Sequence, residues 1–145
     1  MEKETVRKET SMTMNNNNSI LLVDDNSIVL DAVSRLLKFN GFNVTPCKEA
    51  AEAIDHFKRE SFHAVLTDID IPEISGIELL EIIRGLNSAI PVVVMTGSHE
   101  VELAEKALNR GAFDFVTKPF DPDYLVHTME KAADRNTGNC RHNLL

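Results

Sequence analysis

Four places in this 145-residue chain hold residue types that could share one reaction. Asp24-Asp25 follows the run Ile20-Leu21-Leu22-Val23, and Asp68, with Asp70 two further on, follows Ala64-Val65-Leu66. Thr96-Gly97-Ser98 follows Val92-Val93-Val94-Met95, and Lys118-Pro119 follows Phe113 to Thr117. An Asp after a strand is often only a helix cap or a turn residue, and Asp25 or Asp70 alone says no more. All four at one edge of one sheet would be a different matter. Like charges crowded into a crevice are costly unless a cation neutralises them. Carboxylate oxygens alone select a hard ion, and Mg²⁺ is the usual choice where phosphate is also handled. Thr96 and Lys118 add a hydroxyl and a positive charge for an anion beside the metal. Together these groups read as phosphoryl transfer to an aspartate.

The elements that must position them alternate along the chain. Residues 20–23 are a short continuous apolar run, the mark of a strand buried on both faces. Asn26 or Ser27 can cap a helix whose Val29, Val33, Leu36 and Leu37 follow helical spacing, and Gly41 closes it. Residues 42–47 read as a second, weaker strand, where Pro46 suits a sheet edge. A helix over 48–60, a strand over 64–66 and a helix over 76–86 follow. Pro91 opens the strongest strand, 92–95; a helix over 100–110 ends at Gly111, and 113–117 is the fifth strand. Pro122 starts a last helix that runs to about Asp134. Five strands and five helices in alternation predict an α/β fold, a doubly wound parallel sheet with helices on both faces. Strand two, the least apolar, fits an edge, which gives the flavodoxin-like order 2-1-3-4-5. Ligands then sit beyond the carboxyl ends of the strands, where the four groups lie.

Composition narrows the class. There are 15 Lys+Arg against 23 Asp+Glu, a net charge of −8. Residues 19–134 alone carry 10 bases and 20 acids, which opposes a phosphate backbone and argues against nucleic acid as a partner. No apolar run approaches the roughly 20 residues that span a bilayer, and no secretory signal opens the chain. Cys47 and Cys140 form no CxxC and read as unpaired thiols in a reducing cytoplasm. His56, His63, His99, His127 and His142 show no paired ligand spacing, so they read as solvated or core side chains. Ser27 and Ser98 lack the His and Asp partners of a hydrolytic triad, and no phosphate-binding glycine loop follows the first strand. The expected organisation is a disordered leader over 1–18, one folded domain over 19–134 and a short flexible tail over 135–145.

The segments ILLVDDNS, LTDIDIPEISGIEL, PVVVMTGSH and FDFVTKPF, in this order, resemble the receiver domain of bacterial two-component response regulators, in the stand-alone, chemotaxis-regulator-like form. The resemblance covers about 19–134. It implies that Asp68 is the phosphoacceptor, that Asp24, Asp25 and Asp68 hold Mg²⁺, and that the backbone carbonyl of Asp70 is a further ligand. It also implies that Thr96 and Lys118 bind the phosphoryl group and that Phe115 turns inward when Thr96 moves. The peptide before Pro119 is expected to be cis. The donor would be the phosphohistidine of a sensor histidine kinase or a histidine phosphotransfer protein. An acid at Asp70 departs from most relatives, and Ile71 and Ile74 stand where Met is common. The second departure is nearly volume-neutral.

The expected function is a phosphorelay switch that dephosphorylates itself, rather than a classical enzyme. Its fourth helix, fifth strand and fifth helix change shape for a downstream protein or a second copy of the chain. Ala112, Phe113, Phe115 and Tyr124 are the apolar candidates for that face. No DNA-binding module fits in the residues after the last helix, so the expected output is a protein contact, with no membrane involved. The alternative is a haloacid-dehalogenase-type Mg²⁺ phosphatase with Asp68 as nucleophile, since Asp68-Ile69-Asp70 matches its DxD. In that fold, however, the nucleophile follows the first strand, and here it follows the third.

Overall fold

The computed structural model describes residues 18–97 and 99–144, with side chains to Arg135. Five strands alternate with five helices: β1 (Ser19–Val23), α1 (Ser27–Phe39), β2 (Asn43–Cys47), α2 (Ala50–Arg59), β3 (Ala64–Asp68), α3 (Gly76–Leu86), β4 (Val92–Gly97), α4 (Val101–Asn109), β5 (Asp114–Lys118) and α5 (Pro122–Leu144). All pairings are parallel and the order is β2-β1-β3-β4-β5, as expected from the weakness of strand two.

Alternation along the buried strands sorts two cores. Leu21, Val23, Val65, Val92 and Val94 face one side, where Ala53, Leu79, Leu80, Ile83 and Ala107 of α2, α3 and α4 cover them. Ile20, Leu22, Leu66, Val93 and Met95 face the other, under Val33 and Leu37 of α1 and Leu125 and Met129 of α5. With both faces covered, every strand interior must be apolar, which is why β1, β3 and β4 read as unbroken runs.

Asn26 accepts the Ile28 and Val29 N–H groups and so caps α1. Ser75 and Glu78 form a reciprocal capping box on α3. These caps satisfy amides that the first helical turn leaves unpaired. The expected leader over 1–18 lies outside the described residues except for Asn18, whose carbonyl already accepts the Asn43 N–H at 2.8 Å. The last helix ends later than the sequence reading placed it. The backbone of α5 continues to Leu144, through the stretch expected as a flexible tail. Apolar periodicity stops at Ala133, but the stretch beyond holds no proline, and its one glycine, Gly138, costs a helix only about 1 kcal/mol.

Candidate functional site

The carboxyl ends of β1, β3, β4 and β5 meet at one edge of the sheet. Asp24, immediately after β1, is fully buried; its Oδ1 accepts the Asn26 N–H at 2.9 Å. Asp25 beside it is exposed. Asp68, the last residue of β3, is 7% exposed, and its Oδ1 accepts the Asp70 N–H at 3.4 Å. Carboxylate oxygens of Asp24, Asp25 and Asp68 all lie within 4.8 Å of one another. Lys118, closing β5, reaches across with Nζ 3.0 Å from Asp24 Oδ2 and 3.2 Å from Asp68 Oδ2. The Lys118–Pro119 peptide is cis, as the resemblance implied.

Burial raises the Asp68 carboxyl above its ordinary range, and the Asp24 carboxylate pushes the same way; Lys118 opposes both. For Lys118, burial works to lower the ammonium, but Asp24 and Asp68 more than offset it, and the group is held up and charged. Three acids thus share one nearby base. The donors are all oxygen and carry surplus negative charge, which is the chemistry a small hard divalent cation satisfies.

Thr96 is 1% exposed, and its Oγ1 is the buried side-chain polar atom without a hydrogen-bond partner among the described residues. A buried hydroxyl left in that state costs about 1–3 kcal/mol, so the site stores an unmet donor one strand away from Asp68. Phe115 lies opposite Val94 in the β4–β5 ladder and packs, partly buried, on the α2–α3–α4 face. Phe113 faces the other way, against the α1–α5 core, with the Arg135 guanidinium 5.3 Å from its ring centre. Of the apolar residues expected on the output face, Phe113 therefore belongs to the opposite core: it lies in the bend before β5, outside the ladder whose period places Phe115. Tyr124 is 49% exposed. Asp70 is exposed on the loop after β3.

Two positioning residues escaped the sequence reading. Gly76 opens α3 so close to the end of β3 that a Cβ would lie 2.4 Å from the Asp68 carbonyl oxygen and 2.6 Å from Ile69 Cα. Its N–H donates to the Ile69 carbonyl at 2.8 Å, pinning the loop that carries Asp70. Glu100 Oε1 accepts the Gly97 N–H at 2.8 Å, tying the start of α4 to the residue after Thr96. The SG in IPEISG and the E three residues after Gly97 were the available signals.

Cys47 is a free, buried thiol, as expected; burial, with Glu52 and Glu60 nearby, pushes it up to about 12. Cys140 lies outside the described side chains. His63 Nδ1 accepts the Ser19 N–H at 3.0 Å, the core role foreseen for a histidine. His56 is half-buried and bonds Glu60 Oε2 through Nδ1 at 2.8 Å, and one ligand atom each of His56, Cys47 and Glu52 lie within 4.8 Å of one another. The strand-to-helix turn brings together residues whose spacing in sequence matches no metal motif.

The chain matches the response regulator receiver domain model over residues 20–130. It is 40% identical over 116 residues to the transcriptional regulatory protein ZraR of Escherichia coli K12, covering 80% of this chain and 26% of that protein. It is 37% identical over 113 residues to the transcriptional regulatory protein FixJ of Bradyrhizobium diazoefficiens, covering 78% and 55%. The chain thus spans between about a quarter and about half the length of these curated relatives. The crystal structure of a CheY-like response regulator receiver domain protein from Methanospirillum hungatei JF-1 superposes with a TM-score of 0.80 at 30% identity, covering 86% of this chain and 99% of that one.

Proposed function

This chain belongs to the response regulator receiver domain family, a signalling switch of two-component systems rather than a classical enzyme, and from that premise we propose that it accepts a phosphoryl group on Asp68 from a phosphohistidine donor. The observation that carries the assignment is the place of Asp68: a buried carboxylate within 4.8 Å of Asp24 and Asp25 oxygens and 3.2 Å from the Lys118 ammonium.

An Asp68 carboxylate oxygen attacks phosphorus as the bond to the donor imidazole breaks, and that imidazole leaves with a proton from solvent. Asp24, Asp25, Asp68 and the backbone carbonyl of Asp70 are the groups that would hold Mg²⁺. Bound there, the ion supplies charge neutralisation for the phosphoryl oxygens and their acidic neighbours. Lys118, already drawn to Asp24 and Asp68, pairs with a phosphoryl oxygen. The unpartnered Thr96 hydroxyl donates to another, which relieves its cost and draws the end of β4 toward Asp68. Phe115, on the same face of the sheet, moves into the vacated volume.

The face built from α4, β5 and α5 then changes shape; Val101 and Leu108 of α4 and Tyr124 of α5 are exposed apolar residues of these elements. A downstream protein or a second copy of the chain reads it. The upstream partner is a sensor histidine kinase or a histidine phosphotransfer protein. Water attacking the acyl phosphate returns Asp68 to its carboxylate, which makes the switch self-resetting. The acidic balance of 19–134 repels a nucleic-acid backbone. No helix among the described residues is long and apolar enough to cross a membrane, and the unpaired Cys47 thiol suits the cytoplasm.

The test is incubation with acetyl phosphate, with and without Mg²⁺, beside turnover of a generic phosphate ester. Stoichiometric, base-labile phosphate that needs Mg²⁺ and is lost in Asp68→Ala supports the switch. Steady ester turnover with no trapped phosphate would favour the phosphatase reading instead.

A further inference from the structure

We propose that the β2–α2 corner holds a second metal site, formed by Cys47, Glu52 and His56, for a borderline divalent ion of the Zn²⁺ type. It is separate from the all-oxygen cluster at Asp24, Asp25 and Asp68.

Each ligand comes from a different constraint. Cys47 ends β2, paired to Val23 in the ladder, and its carbonyl accepts the Asp24 N–H at 3.1 Å. The thiol is therefore fixed, 1% exposed, at the bottom of the corner. Glu52 stands in the first turn of α2, and His56 follows one turn later, so both project over the sulfur from one face. One ligand atom from each of the three lies within 4.8 Å of the others. In a tetrahedral site with bonds of about 2.0–2.3 Å, ligand atoms stand roughly 3.3–3.8 Å apart. Glu52, whose Oε1 accepts the Lys48 N–H at 3.4 Å, and His56 sit on rotatable side chains with which to close that gap.

The donor set selects the ion. One sulfur, one nitrogen and one oxygen suit Zn²⁺ and disfavour Mg²⁺, whereas the neighbouring carboxylates do the reverse. Three protein ligands leave a fourth position open to water. Glu60, a further turn along α2, already bonds His56 Nδ1 at 2.8 Å. A carboxylate orienting the imidazole in this way recurs behind metal-binding histidines and fixes which ring nitrogen faces the ion. The alternative is mundane: Cys47 as a small core side chain, and His56–Glu60 as an ordinary pair along a helix. It leaves unexplained why Glu52 and His56 both converge on the thiol.

The full chain, stripped with chelator under reducing conditions, is titrated with Co²⁺ and then Zn²⁺. We expect one equivalent to give a thiolate-to-cobalt charge-transfer band that excess Mg²⁺ leaves in place and Zn²⁺ removes. Cys47→Ser abolishes the band, and Asp68→Asn and Cys140→Ser leave it intact. His56→Ala, on a partly exposed helix face where folding is not at stake, also abolishes tight binding, and Glu60→Gln weakens it by about ten-fold or more. A band that persists in both Cys47→Ser and His56→Ala, or no saturable binding by the unmodified chain, overturns the proposal. Neither outcome bears on phosphate transfer to Asp68.

Discussion

Asp68 is an acid kept above its ordinary range by burial and by Asp24, with Lys118 opposing. The sign of its contribution follows. A carboxyl with a raised folded-state pKa stabilises the fold fully only below the unfolded value near 3.8, and that contribution is lost as pH rises through the raised value. Ionising Asp68 in the metal-free protein therefore costs the fold stability. Asp68→Asn should raise the melting temperature of the metal-free protein at pH 7 and flatten its decline above the ordinary Asp range. Denaturant midpoints measured across that range check this; a variant no more stable than wild type at pH 7 counts against it. Thr96 offers a second prediction. Its hydroxyl has no partner, so Thr96→Val keeps the shape and removes the unmet donor. The unphosphorylated protein should gain about 1 kcal/mol. Labelling of Asp68 should continue, while amide shifts over 99–125 stop responding to phosphate. Shifts that respond as in wild type would break the proposed link through Thr96.

At the scale of elements, the loop from Asp68 to α3 is set by sterics more than by side-chain chemistry. A methyl at Gly76 meets backbone, at 2.4 Å from the Asp68 carbonyl oxygen, so nothing flexible can yield. Gly76→Ala should cost about 1–3 kcal/mol, as overpacking does, and slow phosphate uptake by displacing Asp68 and Asp70 together. Ser75→Ala, which removes only the cap of α3, should cost about 1 kcal/mol and leave uptake near wild type. Equal uptake in both variants would place the loop outside the chemistry. The same loop marks how far the sequence could be read. Unbroken apolar runs gave β1, β3 and β4, and the polar residues that end them gave Asp24, Asp68 and Thr96. Lys118 followed in the same way. Two close approaches were invisible in pattern: that of Gly76 to backbone, and that of His56 and Glu52 to Cys47. Both depend on where a turn places elements that are separate in sequence. The end of α5 was misjudged because apolar periodicity reports burial, and a helix can run on past its buried part.

For the molecule as a whole, the acidic edge makes stability a readout of its ion. Asp24, Asp25 and Asp68 repel one another when bare, and an ion bound only by the native state adds RT ln(1 + [L]/Kd). Mg²⁺ at 100 times its Kd should add about 2.7 kcal/mol. That shift should be lost in Asp25→Ala, whose exposed side chain contributes little to packing. A melting temperature indifferent to Mg²⁺ would argue against a cation at this edge. The fold puts the residues proposed for the switch on one contiguous path: β3 carries Asp68, β4 beside it carries Thr96, and β5 at the edge carries Phe115 and Lys118.

The central claim is that Asp68 is the phosphoacceptor, and its most direct measurement locates the phosphate. The chain is incubated with acetyl phosphate and Mg²⁺, the acyl phosphate is reduced with borohydride, and the peptides are read by mass spectrometry. The account predicts homoserine at position 68, dependent on Mg²⁺, with Asp24, Asp25 and Asp70 unmodified. Conversion at one of those acids instead, or no conversion at any of them, would contradict it.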